Sequence, residues 1–331
     1  MIWTVALGEG GASPAAFFEG YILLITESCT LYLIDCQTGE LAWSKWLSPY
    51  LLSSPTVANG KVYTVYKNDI TEAQNTEKEF VLACFDLKTG NILWQKWVNG
   101  EGLSSPVVYG GSVFLSTQKG SLYQFESSQG TLIKELPIDA VSAPTIDPTG
   151  IYISIRHQQT GQRVCRLDDS WKMTMVAESG SWLPPAFDRM ESMLPLMAYE
   201  GSRCLVGADH IYFTIDNEVY CYGKGGKLAW KKTLAALPDT LQYGVLTMPI
   251  LSGSKLVVGS KEGKLFTLDA KTGNTLSAHS LEVPIGAQPA LVGGRMYVPG
   301  VGQLRVWDTK DQALSNWPMW NGNPGHNPVI N

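Results

Sequence analysis

Helical periodicity is nearly absent from these 331 residues, which argues against a helical bundle or a layered α/β fold. No run of about 20 apolar residues occurs, so no membrane-spanning helix and no membrane insertion are expected. Basic residues are in deficit, with 25 Lys and Arg against 30 Asp and Glu and a net charge of −5. Nucleic acid and anionic membrane surfaces call for basic patches, so neither is expected as the main partner. The longest basic cluster, GKGGKLAWKK at 223–232, reads as a turn followed by an exposed strand edge. The histidines number four (His157, His210, His279, His326), and they are widely spaced. There is no HExxH and no Cys/His pairing at zinc spacing, so no metal site is assigned. No GxSxG elbow occurs, and GKGGK lacks the spacing of a phosphate-binding loop. The six cysteines include no CxxC and no adjacent pair. Cys36, Cys84, Cys165 and Cys221 recur in or beside one strand type, and buried free thiols are expected. The opening MIWTVALGEGG has no basic region and too short an apolar run for a signal peptide. On that count the chain is expected in the cytoplasm unless a leader has been removed.

What the chain does contain is a repeated phrase. LIDCQTGELAWSKWL, residues 33–47, returns as CFDLKTGNILWQKWV, so that Asp35, Gly39 and Trp43 recur 51 positions later as Asp86, Gly90 and Trp94. Short β-branched and aromatic runs such as KVYTVY, SVFLST, GIYISI and HIYFTI each follow a tight turn such as ANG, YGG or DPTG. A second run follows (LYLID, LACFD, LYQFE, LFTLD), then a turn (CQTG, LKTG, AKTG), then a last strand (ELAWSKWL, NILWQKWV, KLAWKKTL). A first strand precedes each set and is marked by proline at Pro14, Pro55, Pro106, Pro144, Pro249 and Pro289. Proline at a strand start costs no ladder bond.

Four strands in about 40 to 50 residues make one propeller blade. Seven units begin near Ala15, Pro55, Pro106, Pro144, Cys204, Pro249 and Pro289. The expectation is an all-β, seven-bladed β-propeller forming one domain over 1–331. The seventh unit lacks its last strand, and IWTVAL at the N-terminus reads as that strand, with Trp3 in the place of Trp43. Pairing the two ends in this way closes the ring and removes open sheet edges. Trp43, Trp94 and Trp230 are expected between neighbouring blades. Asp35 and Gly39 have local work in their turn, the carboxylate bonding turn backbone and the glycine supplying a positive φ.

LYLIDCQTGELAW and LFTLDAKTGNTL, with their SSP openings, resemble the pyrroloquinoline-quinone-type repeat. That repeat builds propellers in quinoprotein alcohol dehydrogenases and in BamB-type outer-membrane assembly lipoproteins. WPMWNGNPGHNP at 317–328 is similar to a phrase common in such bacterial proteins. The dehydrogenase resemblance would imply adjacent cysteines over the quinone, a calcium or lanthanide held by Glu, Asn and Asp, and an Asp base. This chain has no adjacent cysteines and no carboxylate cluster, and the neighbouring Asp168 and Asp169 read as turn residues. No catalytic residue is carried over and no cofactor is expected, pyrroloquinoline quinone with calcium being the alternative. The assembly-protein resemblance implies a monomeric, non-catalytic scaffold that binds a protein partner, in the periplasm or outside the cell. The alternative is a quinone- or sugar-binding propeller, possible as a degenerate dehydrogenase.

Two insertions and a tail interrupt the repeat. Residues 67–80 are polar and charged. Residues 179–203 carry Trp182, Phe187, Arg189, Met190, Met193 and Tyr199, too apolar for a disordered loop. This segment reads either as a plug or rim helix, or as a partner-binding patch. The RHQQTGQR turn adds Arg156, His157 and Arg163 to the same face, suited to an acidic segment or small anion. The tail, 315–331, reads as a clasp anchored by Trp317 and Trp320.

Overall fold

A computed structural model describes the chain apart from residues 1–3, 8–12, 49–52, 68–79, 101, 103–104, 118, 158–160, 179–202, 216, 236–245, 261, 282–284, 286–287, 301–302, 318–321, 328 and 330–331. The described residues sort into two compact units, 1–143 with 323–326 and 144–322 with 327–331. Every element in them is a strand, and the strands form seven antiparallel sheets, the blades of a β-propeller.

The first unit holds three sheets. Sheet 1 is β1 (Ala16–Phe18), β2 (Tyr21–Ile25), β3 (Thr30–Asp35) and β4 (Leu41–Trp46). Sheet 2 is β5 (Thr56–Ala58), β6 (Lys61–Lys67), β7 (Phe80–Asp86) and β8 (Ile92–Val98). Sheet 3 is β9 (Val107–Tyr109), β10 (Ser112–Ser116), β11 (Ser121–Glu126) and β12 (Leu132–Pro137).

The second unit holds the other four. Sheet 4 is β13 (Thr145–Asp147), β14 (Gly150–His157), β15 (Gly161–Leu167) and β16 (Met173–Glu178). Sheet 5 is β17 (Leu205–Val206), β18 (His210–Ile215), β19 (Glu218–Gly223) and β20 (Leu228–Thr233). Sheet 6 is β21 (Ile250–Ser252), β22 (Lys255–Gly259), β23 (Lys264–Asp269) and β24 (Thr275–Ser280). Sheet 7 is β25 (Ala290–Val292), β26 (Arg295–Gly300) and β27 (Gln303–Asp308). Of the expected completing strand of sheet 7, Ile2 and Trp3 lie outside the described residues, and residues 4–7 are described without a strand.

Local chemistry accounts for each sheet. The first hairpin turns on residues that tolerate positive φ, as at Asn59 (53°) and Gly60 (69°). In the third turn a carboxylate holds the backbone. Asp35 Oδ1 accepts the N–H groups of Gln37 at 2.8 Å and Thr38 at 2.9 Å. Asp86, Glu126 and Asp269 do the same work in their own sheets. These bonds hold all four carboxyls below their usual range. The middle strands are the buried ones, β6 and β7 almost throughout, while the outer strands β4, β8, β12 and β20 are largely exposed.

Neighbouring sheets lock through the expected tryptophans. Trp43 Nε1 donates to Leu87 O at 2.9 Å, Trp94 Nε1 to Ser127 O at 3.2 Å and Trp230 Nε1 to Ala270 O at 3.1 Å. Each indole lies over the glycine of the receiving turn, Gly90, Gly130 and Gly273 respectively. On the inner side, Thr56 Oγ1 donates to Pro106 O at 2.6 Å and Thr145 Oγ1 to Cys204 O at 2.7 Å. All six cysteines are free thiols, five buried and Cys36 half-buried.

Candidate functional site

The expected partner face begins at one end of sheet 4. Antiparallel register sets Arg156 opposite Gln162, His157 opposite Gly161 and Arg163 opposite Glu178. Arg156 is exposed. Arg163 is bonded within its own sheet, with Nε and Nη2 donating to Glu178 Oε1 at 3.1 and 3.0 Å. The arginine therefore meets an acidic group before any ligand arrives. Trp182, Phe187, Arg189, Met190, Met193 and Tyr199 lie outside the described residues, as does the second insertion around them up to residue 202. The strand that leads into that insertion, β16, is exposed at Met173 (39 %) and Met175 (52 %).

Sheet 5 follows the insertion. At its corresponding end Glu218 collects Tyr220 Oη at 2.6 Å, Lys231 Nζ at 3.2 Å and Thr233 Oγ1 at 3.3 Å. The Tyr220 hydroxyl leads in holding this carboxyl below its usual range. Phe213, Tyr220 and Tyr222 stack along the sheet at centroid spacings of 5.2 and 5.9 Å from Phe213. The aromatic faces are spent on one another, and Phe213 is 1 % exposed.

Two polar groups that the sequence did not single out are buried elsewhere in the second unit. Asp147 at the end of β13 pairs with Lys224 Nζ at 2.6 Å and also accepts from the backbone and hydroxyl of Thr149. Burial pushes its pKa up, yet these donors outweigh it and the carboxyl stays below its ordinary value. Arg203 is 2 % exposed and donates from Nη2 to Pro144 O at 2.8 Å. Burial alone pulls its guanidinium down to about 9. Neither had a local signal: Asp147 sits in the ordinary turn phrase DPTG and Arg203 at the end of an insertion.

The tail takes the inner strands. In the first unit Val57 N donates to Pro324 O at 2.8 Å and Val108 N to Gly325 O at 3.2 Å. His326, fully buried, places Nε2 3.0 Å from Pro55 O, and a carbonyl can only accept, so Nε2 carries the proton. In the second unit the Asn327 side chain bonds both backbone groups of Ile146, at 2.8 and 2.7 Å. Val329 bridges Val206, and Trp317 exchanges backbone bonds with Leu291 at 2.7 and 3.1 Å. Trp317 is 2 % exposed, as expected of an anchor, whereas Trp320 lies outside the described residues.

Among the described residues no group of three or more His, Cys, Asp or Glu is placed to hold a metal ion. Asp168, weighed as a candidate carboxylate, accepts from Ser170 and Lys172 in its own turn.

The fold and its recurrent turns define a seven-bladed β-propeller of pyrroloquinoline-quinone-type repeats. A sequence profile described as outer membrane protein assembly factor BamB matches residues 1–140, 152–275 and 215–317. The chain belongs to that family. It is 24 % identical over 308 residues to the outer membrane protein assembly factor BamB of Moranella endobia, covering 80 % of this chain and 76 % of the relative. The crystal structure of BamB from Moraxella catarrhalis superposes with a TM-score of 0.63 at 16 % identity, covering 88 % of this chain and 83 % of that one. A europium-containing methanol dehydrogenase superposes with a TM-score of 0.60 at 12 % identity, covering 86 % and 72 %. At these identities both structures speak to the fold alone.

Proposed function

We propose that this chain is a non-catalytic scaffold that binds a protein partner in outer-membrane protein assembly, within the bacterial envelope. The family match and the role for which the relatives are named support the reading. The geometric observation that carries it is the tail. The inner-strand N–H groups of Val57, Val108 and Ile146 already hold residues 324, 325 and 327. A ligand bonding to any one of these N–H groups would have to displace the residue that already holds it. That favours recognition at other surfaces, which suits a macromolecule better than a small molecule.

The partner face we assign is the end of sheet 4 that carries Arg156, His157 and Arg163, together with Trp182, Phe187, Arg189, Met190, Met193 and Tyr199 of the following insertion. Methionine and aromatic side chains adapt to an apolar partner, and arginines fix its orientation. The protein acts as a monomer. Among the described residues no helix is long and apolar enough to cross a membrane.

The test is cross-linked capture from a bacterial envelope extract, with the intact chain, a variant lacking 179–202, and Arg156→Glu. One saturable protein complex that weakens in both variants supports the assignment. Equal capture by all three removes the face, and no saturable complex removes the scaffold. Calorimetric titration with pyrroloquinoline quinone, with and without Ca²⁺, is the companion measurement. Micromolar one-site binding there would overturn the scaffold reading.

A further inference from the structure

One register position of the outer strands varies from sheet to sheet, holding Lys134 in sheet 3 and Ser277 in sheet 6. The residue opposite the middle of the third strand is Trp43 in sheet 1, Trp94 in sheet 2 and Trp230 in sheet 5. In sheet 4 it is Met175, opposite Cys165. The tryptophans dock on a neighbouring turn, whereas Met175 is 52 % exposed and Met173, two residues earlier, 39 %. The described methionines elsewhere, Met248 and Met296, are each 1 % exposed. Residues 173–197 also hold five of the nine methionines in the chain.

Oxidation of a thioether follows its access to solvent. We propose that Met173 and Met175 form a selective, reversible oxidation site on the rim of sheet 4, taking oxygen from a peroxide. A sulfur lone pair attacks one oxygen of hydrogen peroxide, the O–O bond breaks and an S–O bond forms. Sulfur is oxidised, and the departing hydroxide takes up the proton left on the transferred oxygen and leaves as water. The product is a polar, chiral sulfoxide where an apolar side chain stood.

The fold survives the step. The β15–β16 ladder is made by backbone groups, and Met175 seals no junction in the way its tryptophan counterparts do. Competing thiols are suppressed as well. Burial pushes Cys165 up to about 11 and Cys204 up to about 12, so the reactive thiolates are scarce. Half-buried Cys36 is the remaining thiol. The consequence is a rim that changes from apolar to polar without unfolding, and that methionine sulfoxide reductases return to its first state.

The experiment uses the full chain, limiting hydrogen peroxide, timed quenching and peptide mapping. Met173 and Met175 should oxidise about tenfold or more faster than Met248 and Met296. The melting temperature should stay constant, retention on a phenyl column should fall, and a mixture of both reductases should restore it. Comparable rates at Met248 and Met296, a fall in melting temperature with oxidation of the pair, or sulfoxides that the reductases cannot reduce would each overturn the proposal. The double variant M173L/M175L should lose much less retention on peroxide treatment than the parent chain. An equal loss in that variant would place the sensitive rim elsewhere.

Discussion

Trp94 lies so close over Gly130 that a Cβ on the glycine would sit 2.6 Å from the indole. The glycine also holds a φ of 67°, a region that side-chain-bearing residues avoid. Both constraints act on one atom, so Gly130→Ala should cost about 2–4 kcal/mol from overpacking and left-handed strain. Trp94→Ala should cost about 3–5 kcal/mol through lost burial and the cavity left behind. Urea unfolding of both variants checks this. Because the residues share one contact, the double variant should cost less than the two single costs added.

Asp147 predicts an acid limb in the stability curve. Its pKa is lower in the fold than in the unfolded chain, so folding favours its charged form. That contribution is present above the unfolded value of about 4 and disappears as pH falls through the folded pKa. Asp147→Asn should lower the melting temperature at neutral pH, and the deficit should shrink towards pH 3. Lys224→Met should destabilise as well, because it leaves a buried carboxylate without its cation. A neutral-pH melting temperature unchanged in both variants would show that the pair has no net worth.

The thiols give a count. One thiol, Cys36, should react with a chromogenic disulfide reagent in the folded chain near neutral pH, and five more on unfolding. Two or more fast thiols in the folded chain would contradict the burial of Cys29, Cys84, Cys165, Cys204 and Cys221.

Asn327 predicts a local cost. Replacing it by Ala leaves the buried N–H and C=O of Ile146 without the amide that meets both. A loss of about 1–3 kcal/mol per stranded group is expected. Hydrogen exchange at the Ile146 amide should quicken beyond the change at Ile153, which is held in the ladder of β14 and β15.

Much of this architecture was legible because its causes are local. Alternation in KVYTVY marks a strand, and Asp86 with Gly90 marks the turn that ends the next one. Repetition then revealed the tryptophans, since Trp43 and Trp94 hold one place in one phrase. What stayed hidden depends on distance. Lys224 finds Asp147 across 77 positions and Asn327 finds Ile146 across 181, and nothing in DPTG or NPGHN names the other. Sheet 4 departs from the repeat at Met175 and leads into the 179–203 insertion. Of the assigned partner face, the described part is Arg156, His157 and Arg163, and spacing gave no hint that Glu178 would meet Arg163.

The bond between His326 and Pro55 joins residues 271 positions apart. On a ribosome, β5 and β9 are made long before residues 324 and 325 emerge to meet Val57 and Val108. Those inner edges stay without their final partner while most of the chain is synthesised, a condition that invites strand pairing with other chains. Contacts of such separation also slow the final folding step. A chain stalled short of residue 323 should therefore depend on chaperones more than the released one.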